Sequence, residues 1–314
     1  DEGSFMGSIK NTFGIKDSTI SKWKYGPGGE GVIHAIDPGD ANTIYTSSFY
    51  GRLIKANLDL PDSVQERNIA PKKADDEETH RGEWLAYTMI SPHNSFTVYH
   101  GMQYLFKSAD SGATWKRISP DMSNNNKQRM GKTPYAINHQ AITAVDESPL
   151  KKGLLYVGTD DGRVWISLND GGSWNEISNG LPANAHVSRL VASKYNAATV
   201  YVTLSDRRED NISPYIFKSA DMGKTWIPVA GNIPYSPVNV IREDPNKKNI
   251  LYCGTDMGVY VSNTGGQKWI PLNNNLPAIV SVQDLFIHPK TNQLVIATYG
   301  RGIYALDDIS ILQK

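Results

Sequence analysis

Short apolar stretches alternate with polar turns along almost the whole chain, and no stretch keeps the 3.6-residue apolar period of a long helix. Each repeating unit begins with an apolar strand, passes a turn that contains proline in five of six copies, and continues in a strand that carries a tyrosine in five of six. Six copies align on the residue in the tyrosine position: Tyr45, Tyr99, Tyr156, Tyr201, Tyr252 and Ile296. The copies are 44 to 57 residues apart, a period typical of propeller blades.

A second motif follows the tyrosine strand in four of the copies. It reads FKSADSGATW from Phe106 and FKSADMGKTW from Phe217, with weaker copies SLNDGGSW from Ser167 and SNTGGQKW from Ser262. The aspartate can accept backbone N–H bonds across a tight turn, and the glycine position favours a positive φ. We expect these residues of the motif to be structural: Ser108, Asp110, Gly112, Trp115, Asn169, Gly171, Trp174, Asp221, Gly223, Trp226 and Trp269. We also expect Trp115 and Trp226 to be buried.

Each period predicts one four-stranded antiparallel blade, so the predicted fold class is an all-β propeller with six or seven blades. A single domain of 314 residues is expected, with a tail at 309–314 and blades over 31–81, 82–139, 140–186, 187–236, 237–280 and 281–308. The last repeat lacks an obvious fourth strand. Residues 1–30 therefore either supply a closing strand near Trp23, which would pair with Gly302 to Leu306 and hide that edge, or belong to a seventh blade.

Composition narrows the function classes. The chain has 32 basic and 32 acidic residues and no lysine-rich run, so it lacks the positive surface of a nucleic-acid-binding protein. Its one cysteine, Cys253, cannot form an internal disulfide. No apolar run has the length of a membrane span, and the scattered histidines and acidic residues form no metal-ligand pattern, so neither a metal nor a cofactor is expected. Because the chain begins without methionine and in mid-blade, we expect a longer precursor.

Three aspartates are candidates for catalytic carboxylates. Asp160 and Asp161 in GTDDGR and Asp256 in GTDMG lie in equivalent turns between the second and third strands. A glycoside hydrolase needs two carboxyl groups at a fixed separation, but turn chemistry also accounts for aspartate at these positions. We expect the isolated chain not to hydrolyse glycosides.

Aromatic and cationic residues beside turns are candidates for ligand binding, because aromatic surfaces with nearby polar groups suit carbohydrates and peptides. The candidates are Trp84, His139, Arg163, Arg189, Tyr299 and Arg301. Further aromatic residues on or beside turns are Phe49, Tyr50, Tyr135 and Trp165.

The four glycine turns resemble the Asp-box, or BNR repeat, of sialidases, two-propeller xyloglucanases and the sortilin (Vps10) family. Longer stretches, such as GPGGEGVIHAIDP, ESPLKKGLLYVGTDDGRVWIS and IHPKTNQLVIATYGRGIYALDDIS, look like the C-terminal propeller of large bacterial sortilin-like proteins, which are often labelled glycosyl hydrolases. The chain differs from eukaryotic sortilins in lacking their cysteine-rich module, which puts a sorting-receptor function in doubt.

The resemblance implies an exported protein, either extracellular, periplasmic or on the cell surface, with an upstream propeller of the same precursor as a partner. It implies a non-catalytic binding or scaffolding module for a protein, peptide or glycan. The alternative is a polysaccharide-acting glycoside hydrolase, xyloglucanase-like or sialidase-like, in which this propeller forms part of the cleft.

Overall fold

A computed structural model of the chain describes residues 4–6, 24–29, 32–75, 77–130, 139–272 and 275–313. The fold is a six-bladed β-propeller of antiparallel sheets, which confirms the predicted class and decides between six and seven blades. The chain divides into two compact units, Asp1–Arg117 and Ile118–Lys314. Trp23 and Tyr135 lie outside the described residues.

Unit 1 contains blades 1 and 2, each a four-stranded sheet with strands in sequence order. Blade 1 consists of β3 (Ile33–Asp37), β4 (Asp40–Ser48), β5 (Arg52–Asn57) and β6 (Glu66–Asn68), and blade 2 of β7 (Thr88–Ser91), β8 (Asn94–Gly101), β9 (Leu105–Ser108) and β10 (Lys116–Arg117). A separate two-stranded sheet pairs β1 (Phe5–Met6) with β2 (Lys24–Tyr25). The described helical segments of this unit are the single turn α1 (Asp62–Gln65) and a 3-10 turn, Phe49–Gly51.

Unit 2 contains blades 3 to 6. Blade 3 consists of β11 (Ile142–Glu147), β12 (Leu155–Thr159), β13 (Val164–Ser167) and β14 (Asn175–Glu176), and blade 4 of β15 (His186–Ala192), β16 (Val200–Asp206), β17 (Asn211–Ser219) and β18 (Ile227–Pro228). Blade 5 consists of β19 (Val238–Glu243), β20 (Leu251–Thr255), β21 (Gly258–Ser262) and β22 (Ile270–Pro271), and blade 6 of β23 (Val282–Ile287), β24 (Leu294–Thr298) and β25 (Ile303–Leu306). Two 3-10 turns, Arg207–Glu209 and Ser310–Gln313, complete the unit's described elements.

The core lies between consecutive sheets. The second strands carry the highest share of β-branched and aromatic residues, and β12 and β20 are buried along their whole length. One apolar cluster combines Tyr156 of blade 3 with Val187, Leu190 and Val202 of blade 4. By contrast the fourth strands are only two residues long in four blades and their side chains are exposed. Such short edge strands offer little template for pairing with another chain.

Blade 6 has three described strands, with β25 paired to β24, in keeping with the missing fourth strand of the last repeat. Pairing between the segment around Trp23 and Gly302 to Leu306 stays a prediction, since Trp23 is not among the described residues. No helix in the described ranges has the length and apolar character needed to cross a membrane.

Candidate functional site

The two glycine turns that carry an aspartate, Asp110 and Asp221, share one set of hydrogen bonds. In the first, Ser108 Oγ accepts the Gly112 N–H at 2.8 Å and Asp110 Oδ1 accepts the Thr114 N–H at 2.8 Å. The Asp110 carboxylate also accepts the hydroxyls of Thr114 and Ser108, at 2.6 and 2.7 Å. The Thr114 hydroxyl, followed by the other donors, lowers the pKa of Asp110 to about 2. The turn around Asp221 repeats this pattern with the same acidic shift. These carboxylates are therefore committed to their turns.

The two weaker copies keep the backbone bonds with other side chains. Asn169 Oδ1 accepts the Ser173 N–H at 2.9 Å, and Thr264 Oγ1 accepts the Lys268 N–H at 2.9 Å. The motif glycine has a positive φ in all four turns, at Gly112 (86°), Gly171 (84°), Gly223 (82°) and Gly266 (95°). The turn therefore depends on an acceptor in the aspartate position and on glycine, but not on a negative charge.

The tryptophan of each glycine turn also hydrogen-bonds the backbone carbonyl of an aliphatic residue from earlier in the chain. The Trp226 indole N–H donates to Ile177 O at 2.7 Å, and a Cβ added to Gly223 would lie 2.3 Å from Ile177 Cδ1. The same arrangement joins Trp115 to Ile69 O (2.6 Å), Trp174 to Ile118 O (2.8 Å) and Trp269 to Val229 O (2.8 Å). The four glycine turns are therefore staples, in the sense that each joins two segments about 40 to 56 residues apart in sequence.

The prediction that Trp115 and Trp226 are buried is wrong, because both are half-buried. They lie next to the exposed two-residue fourth strands β10 and β18, which leaves part of each ring in solvent. Trp269 is the buried one, at 1 % exposure. The Asn232 side chain binds the backbone of Trp269, accepting its N–H and donating to its carbonyl. Ile233 belongs to the same apolar cluster as Trp269.

Polar side chains at β-bulges connect the first strands of unit 2. Each bulge residue donates to a backbone carbonyl of the next first strand: Thr143 to Val187 (2.7 Å), Ser188 to Val238 (2.7 Å) and Asn239 to Val282 (3.0 Å). The register shifts at each of these positions. The bonds place β11, β15, β19 and β23 side by side. Sequence reasoning missed these residues, because a single polar residue in a strand carries no motif.

Asp160 is 1 % exposed and serves as an anchor for the chain entering β11. Its Oδ2 accepts the N–H groups of His139 (2.7 Å) and Gln140 (3.0 Å), and its Oδ1 accepts that of Ala141 (2.9 Å). The Arg208 guanidinium lies 3.9 Å from Oδ2. This carboxylate therefore satisfies backbone donors that would otherwise be buried without partners.

The other two predicted carboxylates are also bonded within the protein. Asp161 is 1 % exposed and accepts the Thr159 hydroxyl at 2.5 Å and the Asn124 N–H at 2.7 Å. Asp256 is half-buried; its Oδ1 accepts Asn239 Nδ2–H and the Ser281 hydroxyl, both at 2.8 Å. Each of the three aspartates thus accepts hydrogen bonds from segments 17 to 37 residues away in sequence.

The turns that carry these aspartates are equivalent in the structure. In three blades the backbone N–H of the first turn residue donates to the carbonyl of the residue that precedes the first strand. These bonds join Asp160 to Ala141 O (3.0 Å), Asp256 to Pro237 O (3.1 Å) and Tyr299 to Ser281 O (2.8 Å). The corresponding turn of blade 4, residues 206–211, reaches toward both neighbours, since Arg207 Nη1 lies 3.4 Å from Asp256 and Arg208 contacts Asp160. We call the turns 160–163, 206–211, 256–257 and 299–302 the rim of unit 2.

Two binding candidates on this rim are open to solvent. Tyr299 is 79 % exposed and Arg301 is exposed. Arg163, in contrast, is engaged with protein: its Nη1 donates to Ser123 O at 2.8 Å, its Nη2 pairs with Glu176 at 2.6 Å, and its guanidinium lies 4.3 Å from the Trp165 ring centroid. His139 contributes its backbone N–H to Asp160, as described above.

Arg189 belongs to a charged cluster on the first strands. Its Nη2 lies 3.2 Å from Asp284 Oδ1, and Arg242 Nη2 lies 2.8 Å from the same oxygen. Desolvation favours the neutral form of Asp284, but the charges of Arg189 and Arg242 outweigh it and lower the pKa. Asp146 shows the opposite shift, since desolvation raises its pKa to about 7 despite a 2.7 Å hydrogen bond from the Ala192 N–H. Sequence reasoning proposed Arg189 but not its three partners.

Trp84 lies in an aromatic cluster of unit 1. Its ring centroid is 4.5 Å from that of Phe49 and 5.6 Å from that of Tyr50, which it meets edge to face. Trp84 and Tyr50 are 36 and 40 % exposed. Both residues adjoin turns, as the sequence indicated.

The residues that the structure describes contain no group of three or more His, Cys, Asp or Glu side chains placed to hold a metal ion. The side chains left as candidates for chemistry are Arg189 and Arg242, the carboxyl groups of the aspartates described above, and the exposed aromatic rings.

Comparison with known proteins shows the fold and no family. No protein-family model matches the sequence, and no curated protein is significantly similar to it. Among solved structures, the GH74 xyloglucanase from Xanthomonas campestris aligns over 89 % of this chain and 45 % of its own, with 19 % identity and a TM-score of 0.65. A GH74 enzyme from Niastella koreensis aligns over the same shares, with 19 % identity and a TM-score of 0.62.

A structure of YCF48 bound to D1 peptide aligns over 88 % of this chain and 78 % of its own, with 11 % identity and a TM-score of 0.55. The chain thus spans less than half the length of the two GH74 proteins. At these identities the likeness establishes a propeller fold and carries no information on activity.

Proposed function

We propose that this chain is a non-catalytic β-propeller module that binds a glycan or a peptide through its exposed turns. The observation that carries the proposal is the state of the three predicted catalytic aspartates. Asp160 and Asp161 are 1 % exposed and accept backbone N–H groups, and Asp256 is bonded by Asn239 and Ser281. Exposed aromatic side chains on turns can hold a ligand without a tuned pKa.

The resemblance of its repeats to bacterial sortilin-like proteins supports a wider setting. The chain would then be exported, to the periplasm, the cell surface or the medium, as the C-terminal propeller of a longer protein. Its upstream propeller would be a permanent partner. The structures of two GH74 enzymes and of peptide-bound YCF48 illustrate that propellers of this shape serve either carbohydrates or peptides.

The second candidate is a glycoside hydrolase, and one observation favours it. Asp146 and Asp284 have pKa values shifted in opposite directions, upward for the first and downward for the second. Such a pair is the usual signature of an acid and its ionised partner. Structural causes are equally sufficient for both shifts, since desolvation raises the pKa of Asp146 and the charges of Arg189 and Arg242 lower that of Asp284.

A hydrolysis assay separates the two candidates. Purified protein is incubated with xyloglucan, other soluble polysaccharides and aryl glycosides, and reducing ends are measured. We expect no release. Release that is lost in both Asp146→Asn and Asp284→Asn but retained in an Asp160→Asn, Asp161→Asn variant would establish the hydrolase and its carboxyl pair, while release that depends on Asp160 and Asp161 would assign catalysis to the rim.

A further inference from the structure

Trp84 differs from the other described tryptophans in its indole N–H. Five of them donate this N–H to a backbone carbonyl of the protein: Trp115, Trp165, Trp174, Trp226 and Trp269, at 2.6 to 2.8 Å. Among the described residues, no acceptor contacts the Trp84 N–H. A half-exposed ring with a donor that no described residue accepts has a polar group available for a ligand.

The backbone beneath this ring is held in an uncommon conformation. Tyr50 has φ 58° and ψ 31°, a region that bulky side chains rarely adopt and that persists only when surrounding contacts enforce it. Glu83 supplies two of those contacts, since its carbonyl accepts the Tyr50 N–H at 3.0 Å and its carboxylate accepts the Trp84 N–H of the main chain. Gly82 allows the approach, because a Cβ there would lie 2.4 Å from Gly51 N.

A buried histidine supports the same turn from below. His100 Nε2–H donates to Gly51 O at 3.0 Å, so its Nδ1 accepts the Thr88 hydroxyl at 2.7 Å. Desolvation lowers the pKa of His100 to about 4, which keeps the ring neutral and this tautomer in place. The aromatic side chains above the turn are therefore fixed before any ligand arrives, which is the arrangement expected of a built site.

The geometry of the rings selects the ligand class. Two ring pairs are in contact: Phe49 is tilted by 55° against Trp84, with centroids 4.5 Å apart, and Tyr50 meets Trp84 edge to face, with centroids 5.6 Å apart. They leave neither an ammonium-sized gap, as an aromatic cage requires, nor a groove between rings, as a polyproline helix requires. The half-exposed Trp84 ring, braced by these two neighbours, therefore provides the stacking surface, with its N–H donor at the ring edge.

We propose that Trp84, braced by Phe49 and Tyr50, is a platform that stacks on the apolar face of a pyranose ring in an uncharged, β-linked glucan. The equatorial substituents of such a sugar leave C–H groups on its face to meet the rings, while a hydroxyl or ring oxygen accepts the Trp84 indole N–H. The proposal rests on the proposed binding function and specifies the ligand of one site within it.

The test uses the full chain and hydroxyethylcellulose, a soluble uncharged β-1,4-glucan, in affinity electrophoresis. We expect wild type to be retarded, Trp84→Ala to bind about tenfold more weakly, as for a central aromatic anchor, and Trp84→Phe to bind about threefold more weakly, the weight of one neutral hydrogen bond. Trp174→Phe is the matched control, because its N–H is already used by Ile118 O. It should bind like wild type. Circular dichroism checks that each variant is folded, and Trp84→Phe remains informative should Trp84→Ala fail to fold.

Two outcomes overturn the platform. Retardation of the Trp84 variants equal to that of wild type would place glycan binding elsewhere and leave the module function intact. If wild type is not retarded at all, the glucan is excluded as the ligand. Retention of a proline-rich peptide through Trp84 would then support the peptide form of the module instead.

Discussion

Replacing Gly223 with alanine tests whether the glycine turn is a staple between segments rather than a self-contained turn. Gly223 has φ 82°, and its added Cβ would lie 2.3 Å from Ile177 Cδ1 and 3.1 Å from both Ile177 Cβ and Cγ1. Rotation of the terminal methyl alone cannot relieve this clash, because two further atoms of Ile177 remain too close. The main chain or the isoleucine must therefore move.

The expected cost has two parts. A left-handed conformation costs an alanine about 1 to 2 kcal/mol, partly offset by the smaller conformational entropy of the unfolded chain, about 0.4 to 1 kcal/mol. Overpacking against Ile177 adds about 1 to 3 kcal/mol. Gly180 supplies the matched control, since its φ is 89° but nothing lies within 4 Å of its added Cβ. Gly180→Ala should therefore show the backbone cost without the clash.

Urea denaturation of both variants measures the difference. We expect Gly223→Ala to lower the free energy of unfolding by about 1 to 3 kcal/mol more than Gly180→Ala does. Adding Ile177→Ala should cost less in the Gly223→Ala background than in wild type, because it removes the clashing atoms. Equal losses for the two glycine variants, together with additive effects of Ile177→Ala, would refute the staple.

Three further predictions concern stability. Trp226→Ala should cost about 3 kcal/mol, the lower end for an aromatic truncation because the ring is half-buried, and an unchanged melting temperature would be evidence against its role. Asp160→Asn should cost about 2 kcal/mol, since an amide cannot accept all three N–H groups. The control is Asp210→Asn at an exposed position, and equal stability of the two variants would contradict the role of Asp160 as an anchor. The pKa of Asp146 is raised from 3.8 to about 7 on folding, so its favourable contribution to the free energy of unfolding at low pH is lost as pH rises through that interval. Urea titrations should therefore show that this free energy falls less between pH 4 and pH 8 for Asp146→Asn than for wild type. An identical fall would exclude Asp146 as its source.

The sequence predicts those features that depend on residues close to one another along the chain. The hydrogen bonds of Ser108, Asp110 and Thr114 join residues two to four apart, so the motif alone indicates the turn. The acceptor of Trp226 is 49 residues away, and only the stacking of blades brings it there. The same holds for Arg189, Arg242 and Asp284, which come from three repeats and meet at one oxygen.

The candidate site was predictable to the same extent. Aromatic residues beside turns could be recognised, but whether the Trp84 indole N–H has an acceptor among the described residues depends on which carbonyls surround it in space. Likewise the sequence placed Asp160 and Asp161 on a turn without revealing that their oxygens face backbone donors rather than solvent.

The chain length of a polysaccharide after it has been bound by the protein tests the central claim most directly. The protein is incubated with hydroxyethylcellulose and xyloglucan, the complexes are isolated by size-exclusion chromatography, and the polymer recovered from them is sized after denaturation of the protein. A binding module predicts that polymer is recovered with the protein at its original length. Recovery of shortened polymer, dependent on Asp146 and Asp284 or on the rim aspartates, would contradict that account and identify a hydrolase.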